Sequence, residues 1–220
     1  MKVVFKCLPG SLLLTALAAI FLTSAEAGPA SRSVVIGAPA QPEFTDAAEF
    51  GFSPTNTGVE NAKALQEALD CGGTVTVSRP GIYKIARTIF IGSHTSLDFG
   101  NGVFLEKVTE PVPFTQVLLN KGALTRTYDH HITVDGLQLI VNGVDDASGP
   151  IVGLRGQVAF FYVKNLRISH FRCVDLGRSQ YCLQVCAFED AVIEDVVVKG
   201  WKDGVHLGWG RRFTIRNGIF

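Results

Sequence analysis

Four short fragments in the C-terminal half of this chain superpose residue for residue. They are Ile132-Thr133-Val134-Asp135-Gly136-Leu137, Leu166-Arg167-Ile168-Ser169-His170-Phe171, Ala191-Val192-Ile193-Glu194-Asp195-Val196 and Phe213-Thr214-Ile215-Arg216-Asn217-Gly218. Their third residues, Val134, Ile168, Ile193 and Ile215, lie 34, 25 and 22 residues apart. A period of twenty-odd residues is one coil of a β-solenoid, where each turn buries its apolar face only by stacking on the next. A β-sandwich also uses short strands, but its hairpins do not require the same residue types at a coil-length period. The longest interval is expected to carry an insertion, the Gly/Asp/Ser-rich loop Asn142 to Gly156.

Upstream, Gly, Asn and Asp separate β-rich runs at Thr74–Val77, Gly81–Ile85, Thr88–Ile91, Thr95–Phe99 and Val103–Lys107. One good helix precedes them, about 59–70, with Ala62, Leu65, Ala68 and Leu69 on one face. Thr57 is its expected N-cap and Glu60 completes a capping box, while Cys71-Gly72-Gly73 ends it.

Lys2 and Lys6, the apolar stretch Leu8 to Leu22 and Ala25-Glu26-Ala27 form a signal-peptide layout, with cleavage expected after Ala27 and secretion to the periplasm or outside the cell. The apolar stretch is shorter than the roughly 20 residues a bilayer span needs. Residues 28–48, rich in Pro, Ala and Ser, read as a loose arm, and 49–220 as the β-helix domain. Removing Lys2, Lys6 and Glu26 from 20 basic and 20 acidic side chains leaves 18 and 19. That balance points to neither nucleic acid nor a membrane surface. Cys71, Cys173, Cys182 and Cys186 fit neither a disulfide scaffold nor a zinc site and are expected as buried or semi-buried free thiols.

The repeat also aligns the strand ahead of it. Placing Ile193 over Ile215 places Tyr181 over Asp203, Leu183 over Val205, Gln184 over His206 and Val185 over Leu207. Alternation sends Val205 and Leu207 inward and His206 and Gln184 outward, with Phe161, Cys186 and Gly208 in the next outward file. Asp203 is assigned to the same exposed face, with Trp209 near its rim. An acid, an imidazole and aromatic surface are what a sugar-binding groove uses. The bland alternatives are an Asp-Gly turn at Asp203 and a solvated imidazole at His206. Asp145-Asp146 suggests a Ca²⁺ ligand pair but reads better as loop solvation, so no metal is expected. Arg211 and Arg212 are expected to pair with Glu189 and Asp190 one coil earlier.

Asn61, Ala64, Leu65, Gln66, Ala68 and Leu69, then Gly72-Gly73-Thr74-Val75, then Pro80, Gly81 and Tyr83 follow the opening of pectin-lyase-like proteins, which this segment resembles. Lys202-Asp203-Gly204-Val205-His206-Leu207 and Arg212-Phe213-Thr214-Ile215-Arg216-Asn217 resemble the central coils of polygalacturonase-like glycoside hydrolases of family 28. The resemblance implies an all-β, right-handed parallel β-helix whose first coil is plugged by the N-terminal helix. It aligns the family's Asn-Thr-Asp-Gly with Trp201-Lys202-Asp203-Gly204, which makes Asp203 a candidate catalytic carboxylate, with Lys202, Gln184, His206 and Trp209 as substrate contacts. Trp201 and Lys202 depart from the pattern, and a lysine there depresses a neighbouring carboxylate's pKa.

The implied activity is hydrolysis of pectin-like or other acidic polysaccharides, without a cofactor, by a protein monomeric at full length. A lyase on the same fold and a non-catalytic carbohydrate-binding or adhesin β-helix are the alternatives. Glycosidic hydrolysis needs two carboxyl groups. One coil past Asp203 falls near position 225, beyond Phe220, so the chain is expected to be an N-terminal portion, truncated within a strand and inactive alone.

Overall fold

Strict alternation of apolar and polar residues leaves each short strand with one face to bury, and successive strands bury it by closing into coils. The computed structural model describes residues 44–109, 111–141, 151–174, 181–199 and 203–220, with Asp203 described by its backbone alone. The chain enters through β1 (Phe44–Asp46) and a 3-10 turn (Ala47–Phe50), then helix α1 (Gly58–Asp70). The first coil is β2 (Gly73–Val77), β3 (Gly81–Ile85) and β4 (Ile89–Ile91), and the second is β5 (Thr95–Phe99), β6 (Val103–Lys107) and β7 (Leu118–Asn120). There follow β8 (Asp129–Asp135), β9 (Gln138–Ile140), β10 (Gly156–Ser169), β11 (Arg172–Val174), β12 (Tyr181–Lys199), β13 (Asp203–Gly208) and β14 (Arg211–Ile219).

All strand pairings among the described residues are parallel and each joins one coil to the next, so the fold is a parallel β-helix with three faces. The first face stacks β1, β2, β5, β8, the second half of β10, the middle of β12 and β14. The second face stacks β3, β6, β9, β11 and the end of β12. The third face stacks β4, β7, the first half of β10, the start of β12, and β13.

The repeat register holds throughout. Val75, Leu97, Val134, Ile168, Ile193 and Ile215 pair successively, one per coil. The first five are at most 1% exposed. Burying each such side chain stabilises by roughly 1.5–3 kcal/mol before entropy is counted. Arg211 and Arg212 meet Glu189, and Arg212 Nε donates to Asp190 Oδ1 at 2.6 Å, as expected from the coil spacing. Cys71, Cys173, Cys182 and Cys186 are all buried.

Helix α1 carries the expected capping box between Thr57 and Glu60. Its Ala62, Leu65, Ala68 and Leu69 are buried against the first coil. Gln66 extends the plug beyond packing. Its Oε1 accepts from Phe90 N at 2.7 Å and its Nε2 donates to Phe90 O at 2.9 Å. The side-chain amide thereby occupies the strand edge that β4 would otherwise leave open. Residues 44–48, expected as the end of a loose arm, form β1 and enter the 3-10 turn, and the rest of that expected arm lies outside the described residues. Asp46 caps that turn through Ala48 N and accepts from Ser78 Oγ at 2.6 Å.

Left-handed residues build two of the three corners; between the third and first faces Tyr162, Ala187 and Trp209 add a second such residue, with φ of 58, 50 and 53°, in the last three coils. Between the third and first faces, His94, His131, Asn165, Asp190 and Arg212 have φ of 57, 56, 55, 59 and 55°. Between the first and second faces, Gly136, His170, Asp195 and Asn217 do the same at 73, 51, 54 and 53°. Asn, Asp and His are enriched in this region, whereas Arg pays about 1–2 kcal/mol there. The His94 and His131 rings stack, 5.0 Å apart and nearly parallel.

The corner between the second and third faces takes up the length variation. Between the flanking strands it spans 3, 15, 6 and 3 residues in the coils whose core intervals are 22, 34, 25 and 22, leaving 19 in each. The Leu97-to-Val134 coil departs from this, because residues 121–128, with a 3-10 turn at Lys121–Ala123, are inserted before β8.

Candidate functional site

The third face carries the residues singled out by the repeat. Gln184 pairs with His206, Phe161 with Cys186, and Cys186 with Gly208, while Leu183 and Val185 face inward and are fully buried. The outer row is not open as alternation alone implies, however. Gln184, Cys186 and Phe161 are only 3, 5 and 9% exposed, because residues 151–155 lie across them. Leu154, Ala159, Phe161, Cys186 and Ala187 join Leu119 and Ala123 in an apolar cluster separate from the main core.

Gln184 fastens this cover. Its Oε1 accepts from Arg155 N at 2.6 Å and Gly156 N at 2.9 Å, and its Nε2 donates to Gly153 O at 3.0 Å. Gly156 is required at that approach, since a Cβ there would sit 2.6 Å from Gln184 Cβ. Gln184 was expected to contact ligand, but its amide is spent on the backbone, so it builds the wall.

The covered row ends in a cleft of about 440 Å³. Ile151 to Leu154 form one wall, Phe161, Cys186 and Gly208 the floor, and Tyr181, His206 and Trp209 the opposite side. The His206 ring lies 4.7 Å from that of Tyr181, tilted by 35°. Trp209 is 85% exposed, at a left-handed corner with φ of 53°. Gly210 after it lies against Phe188, where a Cβ would be 2.1 Å from the ring. Burial pushes the Cys186 thiol up, which keeps it protonated and unreactive. The lining residues include no Lys, Arg, Asp or Glu. Such a cleft binds by aromatic stacking and neutral hydrogen bonds.

The structure therefore brings His206, Gln184 and Trp209 to one cleft. Tyr181 was missed as a contributor, although its column adjoins theirs in the repeat alignment. Asp203 pairs with Tyr181 at the start of β13. Its side chain, like all of Lys202, Asp145 and Asp146, lies outside the described residues. Among the described residues, no group of three or more His, Cys, Asp or Glu side chains is spaced for a metal ion.

A second polar cluster, absent from the sequence reading, lies on the first face. Asp98 pairs with Asp135, and Asp135 with Ser169. Burial and the neighbouring Asp135 charge push the Asp98 carboxyl up. Burial opposes ionisation of Asp135 too, but bonds from Ser169 Oγ at 2.6 Å and His170 Nδ1 at 2.7 Å outweigh it and hold that carboxyl low. The Asp135 bond in turn raises His170. The Asp135 contribution is present above about pH 4 and fades as pH falls through its lowered folded value. The His170 contribution is complete below about pH 6.5 and fades as pH rises through its raised folded value. Their pair is thus strongest between roughly pH 4 and 6.5. His170→Gln is expected to destabilise most in that window, with a pH-dependent part under about 1 kcal/mol given the exposure of both groups, and least above pH 9, read as the difference in Tm across pH. A Tm difference independent of pH would refute the assignment.

No family model and no curated protein matches the chain. Solved structures do. A candidate glycosyl hydrolase from Parabacteroides merdae superposes with a TM-score of 0.57 at 11% identity, over 80% of this chain and 95% of that one. PfbA, a surface adhesin of Streptococcus pneumoniae, superposes with a TM-score of 0.57 at 15% identity, over 79% of this chain and 48% of that one. At such identities the likeness is one of fold, a parallel β-helix, and it spans about half of the adhesin.

Proposed function

We propose that this β-helix binds polysaccharide at the third-face cleft, as the N-terminal portion of a secreted, polygalacturonase-like glycoside hydrolase. The observation that carries the reading is the exposed indole of Trp209 beside the Tyr181–His206 ring pair, at the mouth of a cleft whose lining includes no Lys, Arg, Asp or Glu. Sugar rings present apolar C–H faces that stack on such surfaces and hydroxyls that bond to imidazole and phenol. In this reading Asp203 supplies one catalytic carboxyl, and export follows cleavage after Ala27.

Trp209→Ala is expected to weaken binding of plant cell-wall oligosaccharides at least about tenfold in calorimetric titration, in keeping with the loss of an aromatic anchor. Unchanged affinity would rule the cleft out. A non-catalytic binding or adhesin role is the second reading, favoured by the absence of any carboxylate among the described cleft-lining residues. Turnover that is present in the longest natural form of the protein and abolished by Asp203→Asn favours hydrolysis. Binding without turnover in either form favours the second role.

A further inference from the structure

Trp209 lines a second, differently charged hollow of about 350 Å³, shared with Tyr128, Lys164, Phe188, Glu189 and Arg211. Its charges are held in place. Lys164 Nζ lies 4.8 Å from the centre of the Tyr128 ring and 3.3 Å from Glu189 Oε2, and Arg211 Nη2 donates to Glu189 Oε1 at 2.8 Å. The arrangement is asymmetric toward solvent. The Glu189 side chain is 16% exposed, whereas Lys164 is 35% and Arg211 69% exposed. The carboxylate lies underneath and two cations stand above it, so the hollow presents positive charge. Across the indole, the first cleft presents none among its lining residues.

Resting on the polysaccharide reading above, we propose that these are adjacent subsites of one glycan path, and that the preferred chain alternates neutral and anionic sugars. A neutral residue occupies the cleft of Tyr181 and His206, Trp209 stacks at the junction, and the next sugar sets a carboxylate or sulfate against Arg211 and Lys164. A chain of uronates alone fits poorly, because one charge in every pair enters an uncharged cleft and loses water without gaining a partner. An all-neutral chain fits the cleft but forgoes the charge-assisted contact at Arg211.

The test uses the whole chain and three tetrasaccharides in calorimetric titration: all-neutral hexose, all-uronate, and alternating neutral sugar and uronate. The alternating probe is expected to bind about three- to fivefold more tightly than the all-neutral one, and to lose that margin in 0.5 M NaCl, the size and salt response of an exposed charge contact. Arg211→Gln and Lys164→Met are each expected to remove most of the margin between the alternating and all-neutral probes. The two variants check each other, because each removes a different partner of Glu189 and both leave its contact with Arg212 in place. If the all-uronate probe binds as tightly as the alternating one, or if neither variant narrows the margin, the two-subsite assignment is overturned while Trp209-dependent binding stands. If none of the three probes binds, the polysaccharide reading itself falls.

Discussion

Asn120→Leu is expected to cost about 3–5 kcal/mol of unfolding free energy, although it replaces one side chain by another of similar size. Asn120 sits where β7 leaves the ladder for the 121–128 insertion, and it is fully buried. Its Oδ1 accepts from Phe161 N at 2.7 Å, and its Nδ2 donates to Phe161 O and to Asp129 Oδ2, both at 2.9 Å. Asp129 also accepts from Gly122 N at 2.6 Å and Ser93 Oγ at 2.9 Å. Leucine would strand a backbone N–H and C=O and strip one donor from a buried carboxylate. Each unsatisfied buried group costs about 1–3 kcal/mol, and more beside a charge. Urea unfolding followed by circular dichroism measures it, and a loss below 1 kcal/mol would show that the corner repacks freely.

Gln184→Leu is the second large expectation, and it separates stability from binding. Losing three bonds to Gly153, Arg155 and Gly156 removes about 2–4 kcal/mol, mainly from residues 151–156 rather than from the inner stack. Amide exchange should rise sharply at Arg155 and Gly156 and little at Leu183 and Val185. Oligosaccharide affinity should fall by tenfold or more, because one wall of the cleft lifts away. Retained protection at Arg155 and Gly156 would mean that the apolar cluster alone holds the segment down.

Coil architecture was legible because it rests on identity of residue type at a period. Ile168, Ile193 and Ile215 announce their own stacking, and from them Gln184 over His206 and Arg212 over Asp190 follow by counting. What lies over an outward residue is not periodic, so alternation placed Gln184 and Cys186 on the outside without revealing the cover of residues 151–155. The left-handed corners were hidden for a different reason. Tyr162, Ala187 and Arg212 are not residues whose chemistry advertises a left-handed backbone; their place in the coil selects that conformation for them. The Asp98–Asp135–His170 contacts went unnoticed because each member belongs to a different coil, separated by dozens of residues.

The 19-residue remainder common to four coils has an evolutionary consequence. A residue added within one of its strands would shift the rest of that strand out of its file, so insertions are confined to corners, as residues 121–128 before β8 are. At the corner between the second and third faces, lengths from 3 to 15 residues already coexist without disturbing the register. That corner feeds directly into the strands that carry Gln184, His206 and Trp209. Selection can therefore rewrite the ligand preference of such a protein by lengthening or trimming loops alone, with the interior inherited unchanged.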